Sequence, residues 1–228
     1  GNAQADSNNN KPKSNMDIAP GPSLEALSTD LQLRVRRAQV DMLWRHSLPG
    51  YVATVVIALI LTLTLANSLT PGIHYWFASV FIITVIRVWL MYTYRSKPAH
   101  AIDPHRWGQI FIASSGAIGI AWGIMSGVLF EQANEHGQAL IAITVAGMVA
   151  GAVVTNGYIA DAYYAFLTPA LAPLILRAFQ GDAQFGVPLG ILASIFGIFM
   201  LLSVRRTNRS LVNDLVSIYR LEEMTQEL

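Results

Sequence analysis

Six blocks of apolar residues, near positions 50–69, 73–94, 107–130, 138–158, 162–179 and 185–204, occupy most of this 228-residue chain. Each is close to the ~20 residues that carry a helix across ~30 Å of hydrocarbon at ~1.5 Å per residue. Half-buried elements of soluble domains show apolar residues at periods of 2 or 3.6; here the runs are continuous. In lipid every backbone N–H and C=O must find a partner, and a helix supplies one within its own segment. Only 13% of residues are charged, about half the share in soluble domains. The expected fold class is therefore all-α: a polytopic membrane protein with six transmembrane helices, an N-terminal amphipathic helix and a C-terminal coiled-coil helix.

The breaks between blocks carry turn chemistry: Thr70-Pro71-Gly72, Lys97-Pro98 through Pro104, Glu131 through Gly137, Gly157 through Asp161, and Gln180-Gly181-Asp182. Residues 1–22, rich in Asn, Ser, Pro and Lys, cannot bury enough apolar area to offset ordering and are expected to be disordered. Residues 23–47 place Leu24, Leu27, Leu31, Val35, Ala38 and Met42 at steps of three and four, with Ser23 as N-cap, which predicts an amphipathic juxtamembrane helix. Its arginines suit a helix on, or leading into, an anionic leaflet. Residues 48–204 form the six-helix domain. In 205–228, Leu211, Leu215, Ile218, Leu221, Met224 and Leu228 predict a dimer-forming helix whose heptad is interrupted near Ile218–Leu221. No capping residue stops it before Leu228, so a continuation is expected.

Orientation follows from the positive residues, which gather on the cytoplasmic side. Arg34, Arg36, Arg37 and Arg45 precede the first block, Arg95, Lys97 and Arg106 fill the second connection, and Arg205, Arg206 and Arg209 follow the sixth. Six helices with both termini inside satisfy all three, and the location implied is a cytoplasmic membrane. The opposite connections hold His74, Glu131, Glu135, His136 and Asp182, a group read mainly as solvated loop residues and, less favourably, as a pH-sensing cluster.

No metal site is expected, because no histidine pair has ligand spacing. Cysteine is absent, no phosphate-binding glycine loop or nucleophile elbow occurs, and the net charge of +1 is too small to suggest a nucleic-acid partner, so none is expected. Catalysis by these residues and a bound cofactor are both unexpected.

Three features stand out within the helices. Gly119, Gly123 and Gly127 recur every four residues in the third block, and Gly147, Gly151 and Thr155 in the fourth, so these two helices are expected to pack together. Pro169 and Pro173 should kink the fifth block and free carbonyls, giving with Trp122 a candidate sensing core among blocks three to five. Arg87 lies about seven residues, or ~10 Å, from the cytoplasmic flank of the second block. It can stretch to the inner headgroups, or it can be buried in an ion pair, with Asp161 and Asp103 the nearest carboxylates in the topology.

Arg87 late in its helix, "GIAWG" at 119–123, "VAGMVAGAV" at 145–153, "YYAFLTPALAPLILR" at 163–177 and "QGD" at 180–182 occur together with the juxtamembrane helix. In combination they resemble the six-helix N-terminal membrane sensor region of bacterial signalling proteins, either hybrid sensor histidine kinases or cyclic-di-GMP enzymes with GGDEF and EAL domains. The resemblance spans about residues 30–228. It implies a homodimer in the bacterial inner membrane that receives a small-molecule or membrane-derived signal and relays it through the last helix to a cytoplasmic output domain. No output-domain motif occurs in the chain. Membrane lipid is the other expected partner. A small transporter or channel and a ligand-free anchor are the alternative functions.

Overall fold

The computed structural model describes residues 29–66, 69, 71–98, 101–181 and 186–226. Seven α-helices follow one another with no strand among those residues: α1 (Thr29–His46), α2 (Leu48–Leu65), α3 (Gly72–Arg95), α4 (Pro104–Ile124), α5 (Glu135–Asn156), α6 (Ala160–Gln180) and α7 (Gly186–Gln226). Six of them, α2 to α7, are long and apolar enough to cross a membrane. The chain is thus an all-α, multi-pass membrane protein of six spans. The tail 1–22, Ser23, Leu24, Leu27, His100, Asp182 and Leu228 lie outside the described residues.

Helix ends form where the turn residues stand. Asp103 caps α4 by accepting from the His105 amide at 2.9 Å, with Pro104 at the first helical position, where its missing N–H has no cost. Asn134 caps α5 by accepting from the Gly137 amide at 2.9 Å. Between them α4 continues as a π-helical turn, Met125–Leu129, and a 3-10 turn, Phe130–Gln132. The wide π turn breaks the usual hydrogen-bond ladder and leaves backbone carbonyls for other donors. Arg177 of α6 takes one: its Nε donates to Gly127 O at 2.8 Å while Nη1 pairs with Glu131. Nothing in the local apolar pattern announces the π turn.

The glycine stripe of α4 packs on α6, not on α5 as expected. A Cβ on Gly119 would lie 2.6 Å from Phe166 O and 2.9 Å from Pro169 Cγ, and one on Gly123 would overlap Pro169 O. One on Gly127 would stand 2.9 Å from Pro173 Cβ. The reason is chemical as well as steric. Pro169 and Pro173 lack the N–H that would bond Ala165 O and Pro169 O four residues earlier. Those two carbonyls face Gly116 and Gly123, whose Cα hydrogens are weak donors at close helix crossings. Ser126 adds a stronger bond, its Oγ donating to Ala170 O at 2.9 Å. α6 runs through both prolines as one helix. In the second stripe, by contrast, the two glycines are free: a Cβ on Gly147 or Gly151 meets nothing within 4 Å. α5 lies against α6, α2 and α7.

The amphipathic helix α1 is bound to protein along its apolar face. Val40, Leu43 and fully buried Trp44 enter a cluster with Tyr51, Met91, Tyr94, Trp107 and Phe111. The Trp44 ring lies 5.0 Å from Phe111 and 5.6 Å from Trp107, both edge-on, and stacks on Tyr94 at 5.7 Å. Its other end, Leu31 and Val35, packs on Val212, Leu215 and Val216 of α7. α1 and the far part of α7 therefore meet at one end of the bundle, which six alternating spans require. α7 itself passes from its apolar span into the polar segment without a break, over 41 residues.

Candidate functional site

Between the first turns of α2 and the last turns of α5 lies a cleft of roughly 170 Å³. α2 contributes Gly50, Tyr51, Thr54 and Ile57, and α5 contributes Gly147, Gly151, Thr155 and Asn156. Arg87 of α3 lines it as well, and Ile118 of α4 and Phe166 of α6 belong to its wall. The two helices touch where Gly50 meets Thr155, since a Cβ on Gly50 would lie 3.0 Å from Thr155 Cγ2. Beyond that contact the bare glycines of α5 leave the space beside them empty. Gly147 and Gly151 are exposed, and so are Ala53 and Val154 beside them. The cleft therefore opens sideways on the outer surface of the bundle.

Arg87 is buried, at 5% exposure, which places its guanidinium in the bundle and not among headgroups. Nη1 donates to Ser114 O at 3.2 Å and Nη2 to Ser115 Oγ at 3.3 Å. Its charge lies over two rings, 4.8 Å from the centroid of Tyr51 and 5.3 Å from that of Phe111. Both faces attract a cation. The expected ion pair with Asp161 does not form: Asp161 is exposed in the first turn of α6, and Asp103 is occupied as the cap of α4. The partners of Arg87 are instead a carbonyl, a hydroxyl and two π faces, none of which carries a full negative charge. Arg87 Nε and the Tyr51 hydroxyl, both buried, have no hydrogen-bond partner among the described residues.

The residues read as a sensing core divide into two groups. Gly147, Gly151 and Thr155 line the cleft with Arg87. Gly123, Gly127, Pro169 and Pro173 line a shallow groove along the α4–α6 seam near Arg177. Gly119 is closed inside that seam, and Trp122 is fully buried, edge-on to Trp76 at 5.3 Å. At the opposite end from α1, His74, Glu135 and His136 are exposed, and Glu131 is engaged by Arg177. Among the described residues no three His, Asp or Glu side chains are arranged to hold a metal ion.

Several residues of the site carried no signal in the sequence. Tyr51 sits in an apolar block like any aromatic, and Ser114 and Ser115 read as ordinary helix serines. Gln39 and Asn208 matter through a connection. Asn156 ends α5, and the turn after it exposes two carbonyls. Asn208 of α7 donates to Tyr158 O at 2.7 Å and to Gly157 O at 3.4 Å, and Gln39 of α1 donates to Tyr158 O at 2.9 Å. One turn, directly after the cleft, is thus gripped by both helices that meet at the end of the bundle. The two amides, lone polar side chains on largely apolar helix faces, were the available clue.

No protein-family model, curated protein or solved structure matches the chain.

Proposed function

We propose that this chain is a membrane-embedded sensory input domain, in which occupancy of the α2–α5 cleft is relayed through the α5–α6 turn to α7. The observation that carries the reading is the double grip on Tyr158 O by Gln39 and Asn208, two residues beyond the cleft residue Asn156. A shift of α5 against α2 moves this turn, and the turn cannot move without α1 and α7. α7 is a single rigid element, ~60 Å long at ~1.5 Å per residue, so displacement at Asn208 is delivered along its polar segment. The positive residues of α1, of the α3–α4 connection and of α7 support a cytoplasmic position for this end. The output would be a cytoplasmic histidine kinase or cyclic-di-GMP enzyme, as the resemblance implies.

Homodimerisation belongs to the same proposal. Leu215 of the expected coiled-coil stripe is buried against α1, while Ile218, Leu221 and Met224 remain exposed at 52%, 59% and 57%. That exposed stretch is what a second copy of α7 would cover. A transporter is less well supported, because Tyr51, Arg87 and Asn156 gather near the α1 end and do not trace a path across the midplane.

The test uses the absence of cysteine in the sequence, which makes introduced cysteines unique labelling sites. Spin labels at Leu33→Cys and Leu221→Cys, both exposed positions, report the α1–α7 distance of the full chain in lipid nanodiscs. Filling the cleft with Gly151→Leu should shift the distance distribution, and Asn208→Ala should abolish that shift. Superimposable distributions in the parent and both variants would favour the plain anchor.

A further inference from the structure

We propose that the α2–α5 cleft binds the anionic head group of a single-chain membrane amphiphile, with Arg87 and Tyr51 as its donors and the chain running out past Gly147. What binding does afterwards rests on the sensory reading; binding itself rests on the cleft alone.

A buried guanidinium is ordinarily matched by a carboxylate or fully hydrogen-bonded, since an unmatched charge in low dielectric is costly. Arg87 is buried yet meets only one carbonyl, one hydroxyl and two ring faces, none of them an anion, and its Nε–H donates to nothing among the described residues. The Tyr51 hydroxyl, on the ring beneath the same guanidinium, is equally unpartnered. Two unpartnered donors and a positive charge that meets no anion, carried by two residues that line one cleft, define the complement: an anion with at least two oxygens. A guanidinium presents its N–H groups in a planar fork that suits carboxylate and phosphate alike.

The remaining walls define the rest of the ligand. They are mostly apolar: Ile57, Ile118, Met148 and Phe166. The side toward lipid is left open by Gly147 and Gly151, where no neighbouring atom would meet a Cβ. A hydrophilic anion would have to cross hydrocarbon to enter there, whereas an amphiphile diffusing in the leaflet enters directly. The depth agrees. Tyr51 lies in the first turn of α2 and Asn156 in the last turn of α5, so the polar end of the cleft is near the membrane surface at the α1 end. Gly147, more than two turns deeper along α5, faces the chain region.

The experiment is a titration of the delipidated full chain in detergent, read by native mass spectrometry, with three probes of equal chain length: tetradecanoate, monotetradecyl phosphate and tetradecanol. At least one anion should bind ten-fold or more tightly than the alcohol. The preferred anion assigns the head group as carboxylate or phosphate. Arg87→Gln should erase the preference for anion over alcohol. Gly151→Leu, whose Cβ meets no neighbouring atom within 4 Å and whose side chain occupies the cleft, should weaken all three probes at least ten-fold and keeps the test valid should Arg87→Gln fail to fold. Equal binding of the three probes by the parent chain, or anion binding unchanged by Gly151→Leu, would overturn the assignment. The α1–α7 spin-label distance separates the two readings. Anion binding without a distance change supports the ligand and contradicts the sensory role. A distance change on filling the cleft, with no preference for anions, does the reverse.

Discussion

At the scale of single residues, the two glycine stripes look alike in the sequence and have opposite environments. Gly123 faces a proline-freed carbonyl, so Gly123→Ala drives a methyl group into backbone and is expected to cost about 1–3 kcal/mol. Gly147→Ala enters open space and should change stability by less than about 0.5 kcal/mol, or raise it slightly through helix propensity. Reversible unfolding of the two variants in mixed micelles checks the contrast, and equal losses would contradict the packing. The spacing of four was legible; which stripe meets a partner was not, because that depends on the unseen neighbour. Arg87 makes the same point. Its burial was one of two open alternatives, but the expected Asp161 partner was chosen by topology alone. Asp161→Asn should therefore leave stability within about 0.5 kcal/mol of the parent. Arg87→Met exchanges an uncompensated buried charge for a hydrophobe and should cost little stability. A large penalty for Asp161→Asn would restore the ion pair.

At the scale of elements, the spans and turns were readable because lipid removes the ambiguity that soluble proteins retain. A backbone in hydrocarbon satisfies itself or pairs with a neighbour, and long apolar runs have one common solution. The fourth and fifth spans part at Gly157-Tyr158-Ile159, which is also the turn held by α1 and α7. The π turn at Met125–Leu129 stayed hidden, since the donor that takes its Gly127 carbonyl, Arg177, lies 50 positions further along the chain. Arg177→Ala should cost about 1.5–3 kcal/mol, as removal of a charged donor from a partly buried carbonyl does. Glu131→Gln should cost less than about 1 kcal/mol, because its carboxylate is 56% exposed. The order of these two losses, measured on the same unfolding transition, tests whether the arginine acts on the π turn or on the salt bridge.

At the scale of the whole molecule, α1 was legible as amphipathic but its partner was not. The same periodicity serves a leaflet or a protein groove, and the aromatic cluster around Trp44 decides for the groove. Trp44→Ala should therefore cost about 3–5 kcal/mol and loosen α1 from the bundle. Limited proteolysis within α1 reads this directly, and unchanged protection would favour a helix held by lipid. Once α1 is part of the bundle, it and α7 share the α5–α6 turn, and the cleft sits one step away. Hydrogen exchange of the full chain in nanodiscs, comparing parent with Gly151→Leu, tests that connection most directly. The expected result is altered exchange at residues 157–159 and along 205–216, with 131–137 at the far end unchanged. A change confined to the residues lining the cleft would contradict it.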